Sequence, residues 1–335
     1  MATGTTPETR SIVGIGCSAG SLETLLALLG ALPPDHGATL LIVPHRARSS
    51  DSMLETILER RLALPVVQAS DGAVAKPGTV HLAPPDRHLL YASDGTLRVT
   101  RGPRENSSRP AIDPTFRSLA INANSRAVGI VLTGMLSDGA SGLAAIRRCG
   151  GAAIVQDPDE ALYPDMPRAA MGAVPDAEVL PLAAIAQRIV ELARMPAGPP
   201  VAVPEAIALE GRIAEKGGAS MAIEDQLGER SNLTCPHCRG VLWRMHDENV
   251  LRFRCHTGHA YTADDVYDQQ SDRVEEALWS AMRAHRERAE VARKLAADAR
   301  GKTSELWLDR AADAEEQAEL IRSVLVGQPT KDAAE

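Results

Sequence analysis

No stretch of the 335-residue chain approaches 18 uninterrupted apolar residues, so nothing in it reads as a membrane-spanning helix. Met1 to Arg10 is polar and lacks the apolar core of a secretory signal, which sets the expectation of a cytoplasmic protein without membrane insertion. An excess of basic residues is missing too. The formal net charge is −8, which argues against a nucleic-acid partner. That charge is uneven: residues 1–195 carry 18 Lys/Arg against 19 Asp/Glu, and residues 196–335 carry 18 against 25. Cysteine is scarce and odd in number, at positions 17, 149, 235, 238 and 255, so a disulfide scaffold is not expected. The rest is ordinary for a globular protein, with 44% hydrophobic and 24% charged residues, and the length suggests two domains.

The chain is organised around Ser11 to Leu32. Ile12 to Ile15 is a short β-branched run of the kind that forms a buried parallel strand. Leu22, Leu25, Leu26 and Leu29 then fall at helical spacing. Between them stands Gly16-Cys17-Ser18-Ala19-Gly20, a Gly-x-Ser-x-Gly turn that would lift a serine hydroxyl above the sheet edge. The helix N-terminus behind it offers backbone N–H groups to an oxyanion. Alone, such a turn serves equally as a plain tight turn or a phosphate loop.

Pro33 to Gly37 is a turn, and Ala38 to Val43 a second strand, which ends in Pro44-His45-Arg46. Strand, helix and strand make a right-handed βαβ unit. It brings Ser18 and His45 to the carboxyl ends of neighbouring strands, although a strand-end histidine is also commonly bonded to backbone. A helix is expected over 52–62, a strand at 79–82 and a hairpin over 89–100 around Ser93-Asp94-Gly95, with His81 and His88 structural or at the surface. Residues 101–111 read as a polar loop. Asp113 and Pro114 then open a helix to Asn122, as N-cap and N1. Ala127 to Leu132 is a further strand, followed by Thr133-Gly134-Met135-Leu136-Ser137-Asp138-Gly139. Asp138 is either the N-cap of the next helix or a carboxylate reaching a neighbouring strand end. Ala152 to Gln156 is a strand, and helices over 164–173 and 182–195 close the domain.

Ser18, His45 and Asp138 are the parts of a nucleophile, a base and an orienting acid. Their chain order differs from the Ser…Asp…His order of α/β-hydrolases. Together Ile-Gly-Cys-Ser-Ala-Gly, Val-Pro-His, Ala-Ile-Asp-Pro-Thr-Phe-Arg-Ser-Leu-Ala and Leu-Thr-Gly-Met-Leu-Ser-Asp-Gly-Ala resemble the catalytic domain of CheB-type chemotaxis protein-glutamate methylesterases, over about residues 10–195. The resemblance implies Ser18 as nucleophile, His45 as general base and acid, Asp138 as its orienter, and a backbone N–H from the Met135 loop for the oxyanion. It implies hydrolysis of glutamate γ-methyl esters on chemoreceptor helices, with release of methanol and no catalytic cofactor; deamidation of receptor glutamine is a second implied activity. Two departures stand out. The family's Ser-Thr-Gly-Gly is Ser18-Ala19-Gly20-Ser21 here, and with the catalytic strand beginning at residue 11 a receiver domain ahead of it is not expected. An esterase or amidase for another substrate, and a signalling adaptor without turnover, are the alternatives.

Residues 197–232 read as a linker. Cys235-Pro236-His237-Cys238 and Cys255-His256-Thr257-Gly258-His259, around a hairpin, outline a zinc ribbon over 233–262 with Cys235, Cys238, Cys255 and His259 as ligands; His256 is the alternative fourth. So small a hairpin has too few apolar anchors to fold without metal, so a structural zinc is expected. A similar segment trails stand-alone proteins of the same family. Residues 263–327 read as an α-helical hairpin, with Val274, Leu278, Met282, Val291 and Leu295 on one helix and Ala314, Ala318, Ile321 and Leu325 on the other. Those seams serve either as internal core or as a partner surface. The expected architecture is thus an α/β domain over 8–196, doubly wound on a mostly parallel sheet with helices on both faces, followed by the ribbon-like segment and the helical hairpin.

Overall fold

A computed structural model describes residues 9–45, 53–246 and 250–327. Arg46, the last residue of the Pro-His-Arg strand end, lies outside them. The first unit runs to Asp265 and the second from Val266.

The first unit begins β1 (Ile12–Cys17), α1 (Ser21–Gly30), β2 (Thr39–Pro44), α2 (Met53–Arg61), β3 (Val66–Gln68), β4 (Val80–Leu82), β5 (His88–Tyr91), β6 (Leu97–Thr100) and α3 (Ile112–Asn122). It continues β7 (Ala127–Val131), α4 (Ala140–Arg148), β8 (Ala152–Gln156), α5 (Asp165–Ala173), β9 (Glu178–Leu180) and α6 (Leu182–Arg194). Seven strands form one sheet in the order β3-β4-β2-β1-β7-β8-β9, with every pair parallel. The chain winds outward from β1 to one edge, then returns to β7 and winds to the other. The switch point between β1 and β7 opens the crevice where open α/β sheets bind ligands.

Alternation along β1 serves two cores. Val13 and Ile15 pack with Leu25, Leu28 and Leu29 of α1 and Ile185 and Ile189 of α6. Ile12 joins the core formed by α3, α4 and α5 on the other face. The α3 face of β1 is otherwise glycine, because an added Cβ at Gly14 would lie 2.6 Å from Leu119 and one at Gly16 2.5 Å from Ile112. The helix therefore lies directly on the strand. Two short edge strands, β3 and β9, have no counterpart in the expected elements; three residues each is too little for a period to register. The hairpin pairs β5 with β6 as expected.

Residues 197–232 do not act as a bare linker. They carry α7 (Glu205–Lys216), α8 (Met221–Leu227) and most of β10 (Gly228–Thr234). Ile207, Leu209, Ile213 and Ala214 of α7 are buried, and so is Glu210, whose charge interrupts the apolar face that would have announced the helix. β10, β11 (Val241–Met245), β12 (Arg252–Cys255) and β13 (Ala260–Thr262) form an antiparallel meander. Its outer edge goes on to the 101–111 loop: Asn106 N–H donates to Ala260 O at 2.8 Å, and Ala260 N–H to Arg104 O at 3.3 Å.

α9 (Ala263–Asp298) carries the chain into the second unit, where α10 (Lys302–Leu325) follows. The seam of that unit is built of alanine. Ala289, Ala292, Ala296, Ala311, Ala314 and Ala318 are buried together with Met282, whereas Val274, Val291 and Leu295 are exposed. An Arg293–Glu315 ion pair links the two helices. Small side chains let helices approach closely, and here they displace the larger residues from the seam.

Candidate functional site

The three strand ends meet as the pattern of the loops suggests. Cys17 pairs with Pro44 in the β1–β2 register, so Ser18 and His45 are the next residues on neighbouring strands, about 5 Å apart along the backbone. The backbone locks this: His45 N–H donates to Cys17 O at 3.0 Å, and Ser18 N–H to Thr133 O at 3.0 Å. Gly20 takes a left-handed φ of 73° as the cap of α1, which turns the chain sharply past Ser18. Thr133 Oγ1 donates to Ala19 O at 3.2 Å. At Gly134 any side chain would collide with Met166, and its Cβ would lie 2.8 Å from Ser18 Cβ. Ser18 is half-buried and open to a reactant; its neighbour Cys17 is fully buried, and burial pushes its thiol up to about 12, which removes it as a rival nucleophile.

His45 Nε2 lies 2.6 Å from Asp138 Oδ2. The His45 side chain is 18% exposed and that of Asp138 2%. Burial pushes the Asp138 carboxyl up, but the hydrogen bond and charge of His45, with donors from Ile112 and Asn106, outweigh it and hold the group below the usual carboxylate range. An ionised carboxylate only accepts, so Nε2 carries the proton and Nδ1 of neutral His45 is the nitrogen able to take one.

Asp138 caps a helix, but not its own. Its oxygens accept from Ile112 N at 2.7 Å and Asp113 N at 3.2 Å, the first turn of α3, and from Asn106 Nδ2 at 2.7 Å. Asp113 does the reverse. It is not the N-cap of α3, whose cap position is Ala111; its Oδ1 accepts from Gly139 N at 3.1 Å and Gly142 N at 2.6 Å at the start of α4. Each aspartate thus caps the helix of the other, and the two helix dipoles converge on the pair. Burial, and then the charge of Asp138, push Asp113 up to about 7, which leaves Asp138 as the charged member near neutral pH.

His81 and His88 are structural, as expected. His81 Nε2 accepts from Lys76 N at 3.1 Å, and His88 bridges Pro103 O at 2.9 Å and Ala111 N at 3.3 Å. Met135 is half exposed and follows Gly134, whose own N–H donates to Tyr163 O at 3.0 Å.

The second cluster is Cys235, Cys238, Cys255 and His259, whose ligand atoms lie within 4.8 Å of one another. Cys238 Sγ is 3.6 Å from Cys255 Sγ, and His259 Nδ1 is 3.5 Å from Cys255 Sγ and 3.8 Å from Cys235 Sγ. A tetrahedral zinc with ordinary Zn–S and Zn–N bonds requires separations of about 3.5–3.8 Å, so the donor set fits such an ion, with His259 rather than His256 as fourth ligand. Thr257 Oγ1 bonds Cys238 Sγ at 3.0 Å and Cys255 Sγ at 2.9 Å on one side of this set.

Residues 13–189 match the family model described as CheB methylesterase. The chain belongs to the CheB methylesterase family. A Leptospira interrogans relative bearing the name "Putative protein-glutamate methylesterase/protein-glutamine glutaminase" is 38% identical over 178 residues, which cover 53% of this chain and 92% of that one. Relatives named protein-glutamate methylesterase/protein-glutamine glutaminase from Xanthomonas campestris pv. campestris and Cupriavidus metallidurans are 37% and 40% identical, and the matches span 52% and 55% of their lengths, so this chain matches about half of each. The crystal structure of the Thermotoga maritima CheB methylesterase catalytic domain superposes with a TM-score of 0.53 at 30% identity, covering 56% of this chain and all of that one.

Sequence reasoning missed two sets of residues, one inside this CheB methylesterase domain and one that reaches beyond it. One is Asn106, in the polar 101–111 loop, with a left-handed φ of 48° that asparagine tolerates better than most residues. The other is a buried charge cluster. Glu105 pairs with Arg117 and Arg254, and Glu210 pairs with Arg252, Arg254 and Arg117. It joins α3 to α7 and β12. Arg252 and Arg254 flanking Phe253 were the available signal, since charged residues in a short strand need partners.

Proposed function

We propose that the chain is a serine hydrolase of the protein-glutamate methylesterase type, with Ser18, His45 and Asp138 as its catalytic triad. The observation that carries this is the buried Asp138 carboxyl bonded to His45 Nε2 at 2.6 Å, with a serine held in register beside that histidine on the neighbouring strand. A carboxylate so placed fixes the tautomer and steadies the imidazolium that forms during turnover.

His45 Nδ1 takes the Ser18 hydroxyl proton as Oγ attacks the ester carbonyl carbon of a glutamate γ-methyl ester. The negative charge on the tetrahedral intermediate is met by backbone N–H groups at the strand end, with the Met135 loop as a contributor. Collapse breaks the carbonyl carbon–methoxy bond, and the imidazolium returns its proton to the leaving oxygen, which departs as methanol. Water then attacks the acyl-serine with His45 again as base, releasing the glutamate carboxylate and restoring Ser18. The same cycle with ammonia as leaving group deamidates glutamine. The relatives' names support both substrates, and methylated chemoreceptor helices in the cytoplasm are the macromolecular substrate we assign. We assign zinc to Cys235, Cys238, Cys255 and His259, where the ion supplies structural cross-linking only. Among the described residues no helix is long and apolar enough to cross a membrane.

A fluorophosphonate probe tests the triad. The adduct should map to Ser18 and disappear in Ser18→Ala and His45→Ala. A wild-type protein that turns over methyl-glutamate peptides without forming a Ser18 adduct overturns the assignment, and one that neither reacts nor turns over is an adaptor.

A further inference from the structure

The catalytic aspartate is held from outside the family domain. Asn106 Nδ2 donates to Asp138 Oδ1 at 2.7 Å and also lies 2.9 Å from Asp113 Oδ2, so one amide spans both carboxyls. Asn106 in turn is held by the ribbon. Its N–H donates to Ala260 O at 2.8 Å, and Ala260 directly follows His259 of the Cys3His cluster. The preceding Glu105 is clamped by Arg254, next to Cys255, through Oε1 contacts at 3.2 Å. A third strut runs from Ser137, beside Asp138, whose hydroxyl bonds Thr262 Oγ1 at 2.8 Å at the end of β13. Thr262 Oγ1 is itself anchored on Asp265 Oδ2 at 2.7 Å. Asn106, Asp138, Thr262 and Asp265 are all buried, so no solvent competes for these bonds.

We propose that Asn106 is a positioning residue for Asp138, and that the metal-dependent order of the ribbon, acting through β13, sets its station. The inference rests on the triad reading above. The logic is geometric. A backbone at φ 48° in a polar loop is not fixed by its own conformation, and the bond that fixes it comes from Ala260, the first residue of β13, which follows His259 and pairs with Arg254 beside Cys255. Releasing the cluster releases β13, then the Asn106 amide, and then the carboxylate that orients His45. This chain of bonds ends on Asp138, which acts on the reaction only through His45, so the loss falls on turnover rather than on KM.

The test uses the full chain, in wild type and in Asn106→Gly, Cys255→Ser and the double variant. Glycine removes the amide without straining the left-handed backbone. Two readouts are taken: kcat and KM for methanol release, and the downfield proton resonance of the His45–Asp138 hydrogen bond, assigned by its loss in His45→Gln. Each single variant should lower kcat at least tenfold with KM within twofold, and should broaden or shift the resonance. The double variant should be no slower than the worse single, because the ribbon acts through Asn106. Metal removal from wild type by a chelator should reproduce the Cys255→Ser spectrum, which keeps the test decisive if that variant does not fold. Independent, multiplying effects overturn the proposal, as does a metal-free or Cys255→Ser protein with wild-type kcat and an unmoved resonance. A wild-type protein that shows the resonance but releases no methanol contradicts the functional reading and leaves the positional one to the spectra. One that lacks the resonance contradicts the His45–Asp138 bond on which both depend.

Discussion

Replacing Glu210 with glutamine should unravel the joint between the family domain and the ribbon. Glu210 Oε2 is 2.7 Å from Arg252 and 2.6 Å from Arg254, with Arg117 at 3.5 Å, and Oε1 accepts a further bond from Arg252 at 3.1 Å. All three guanidinium groups are at most 2% exposed, and Glu105 also pairs with Arg117 and Arg254. Removing this carboxylate takes from three buried cations an anion that all of them share. Breaking a buried pair costs about 3–5 kcal/mol, and a shared partner places this change at about 4 kcal/mol. With a urea slope of about 2.5 kcal/mol per M, the midpoint should fall by roughly 1.5 M. Trp243 in β11 reports on this unit when Trp279 and Trp307, in the helices of the other, are replaced by phenylalanine. The pH dependence gives a second check. Burial pushes Glu210 up, but the arginine charges outweigh it and hold it well below its ordinary value. A depressed carboxylate contributes stability above its unfolded pKa of about 4.3 and loses it as pH falls, so the gap between wild type and variant should be full at pH 7 and narrow in acid. A variant within about 1 kcal/mol of wild type at pH 7, or a gap that widens in acid, refutes the reasoning.

Glu224 gives the opposite sign: buried, with neither carboxylate oxygen hydrogen-bonded among the described residues, it is pushed up to about 7 by burial. A raised carboxyl costs stability as pH rises from about 4 through 7, so Glu224→Leu should gain about 3 kcal/mol at pH 8 and little at pH 4 by urea unfolding; an equal gain at both would contradict this. Gly134→Ala should abolish hydrolysis, because its methyl group would collide with Met166 and press on Ser18; an active variant would show that the strand end is not closely packed. Elemental analysis should find about one zinc per chain, lost in Cys255→Ser and weakened in His259→Ala, while His256→Ala retains it; full retention in Cys255→Ser would remove the site.

Much of this was legible because it lies in local sequence. Ile12 to Gly30 spells strand, turn and helix in one short stretch, and strand-end signals recur at His45 and Asp138. The parallel sheet followed from those units. What escaped is what depends on partners far along the chain. Asp113 looked like the cap of its own helix, but capping is decided by which N–H groups a fold brings near, and those belonged to α4. α7 looked like linker because Glu210 occupies its buried face, tolerable only with Arg252 and Arg254 some 40 residues on. Asn106 is one polar residue in a polar loop until β13 is seen to hold it. The C-terminal seam misled through size, since alanines rather than Val291 and Leu295 fill it.

The central claim is that Ser18 attacks a glutamate methyl ester with His45 as its base, oriented by Asp138. Receptor membranes carrying labelled methyl esters measure it directly. Wild-type protein should release labelled methanol catalytically. Ser18→Ala and His45→Ala should lower the rate by several orders of magnitude while remaining folded, and Asp138→Asn should retain more activity than either. Wild-type release of methanol by Ser18→Ala would contradict the account.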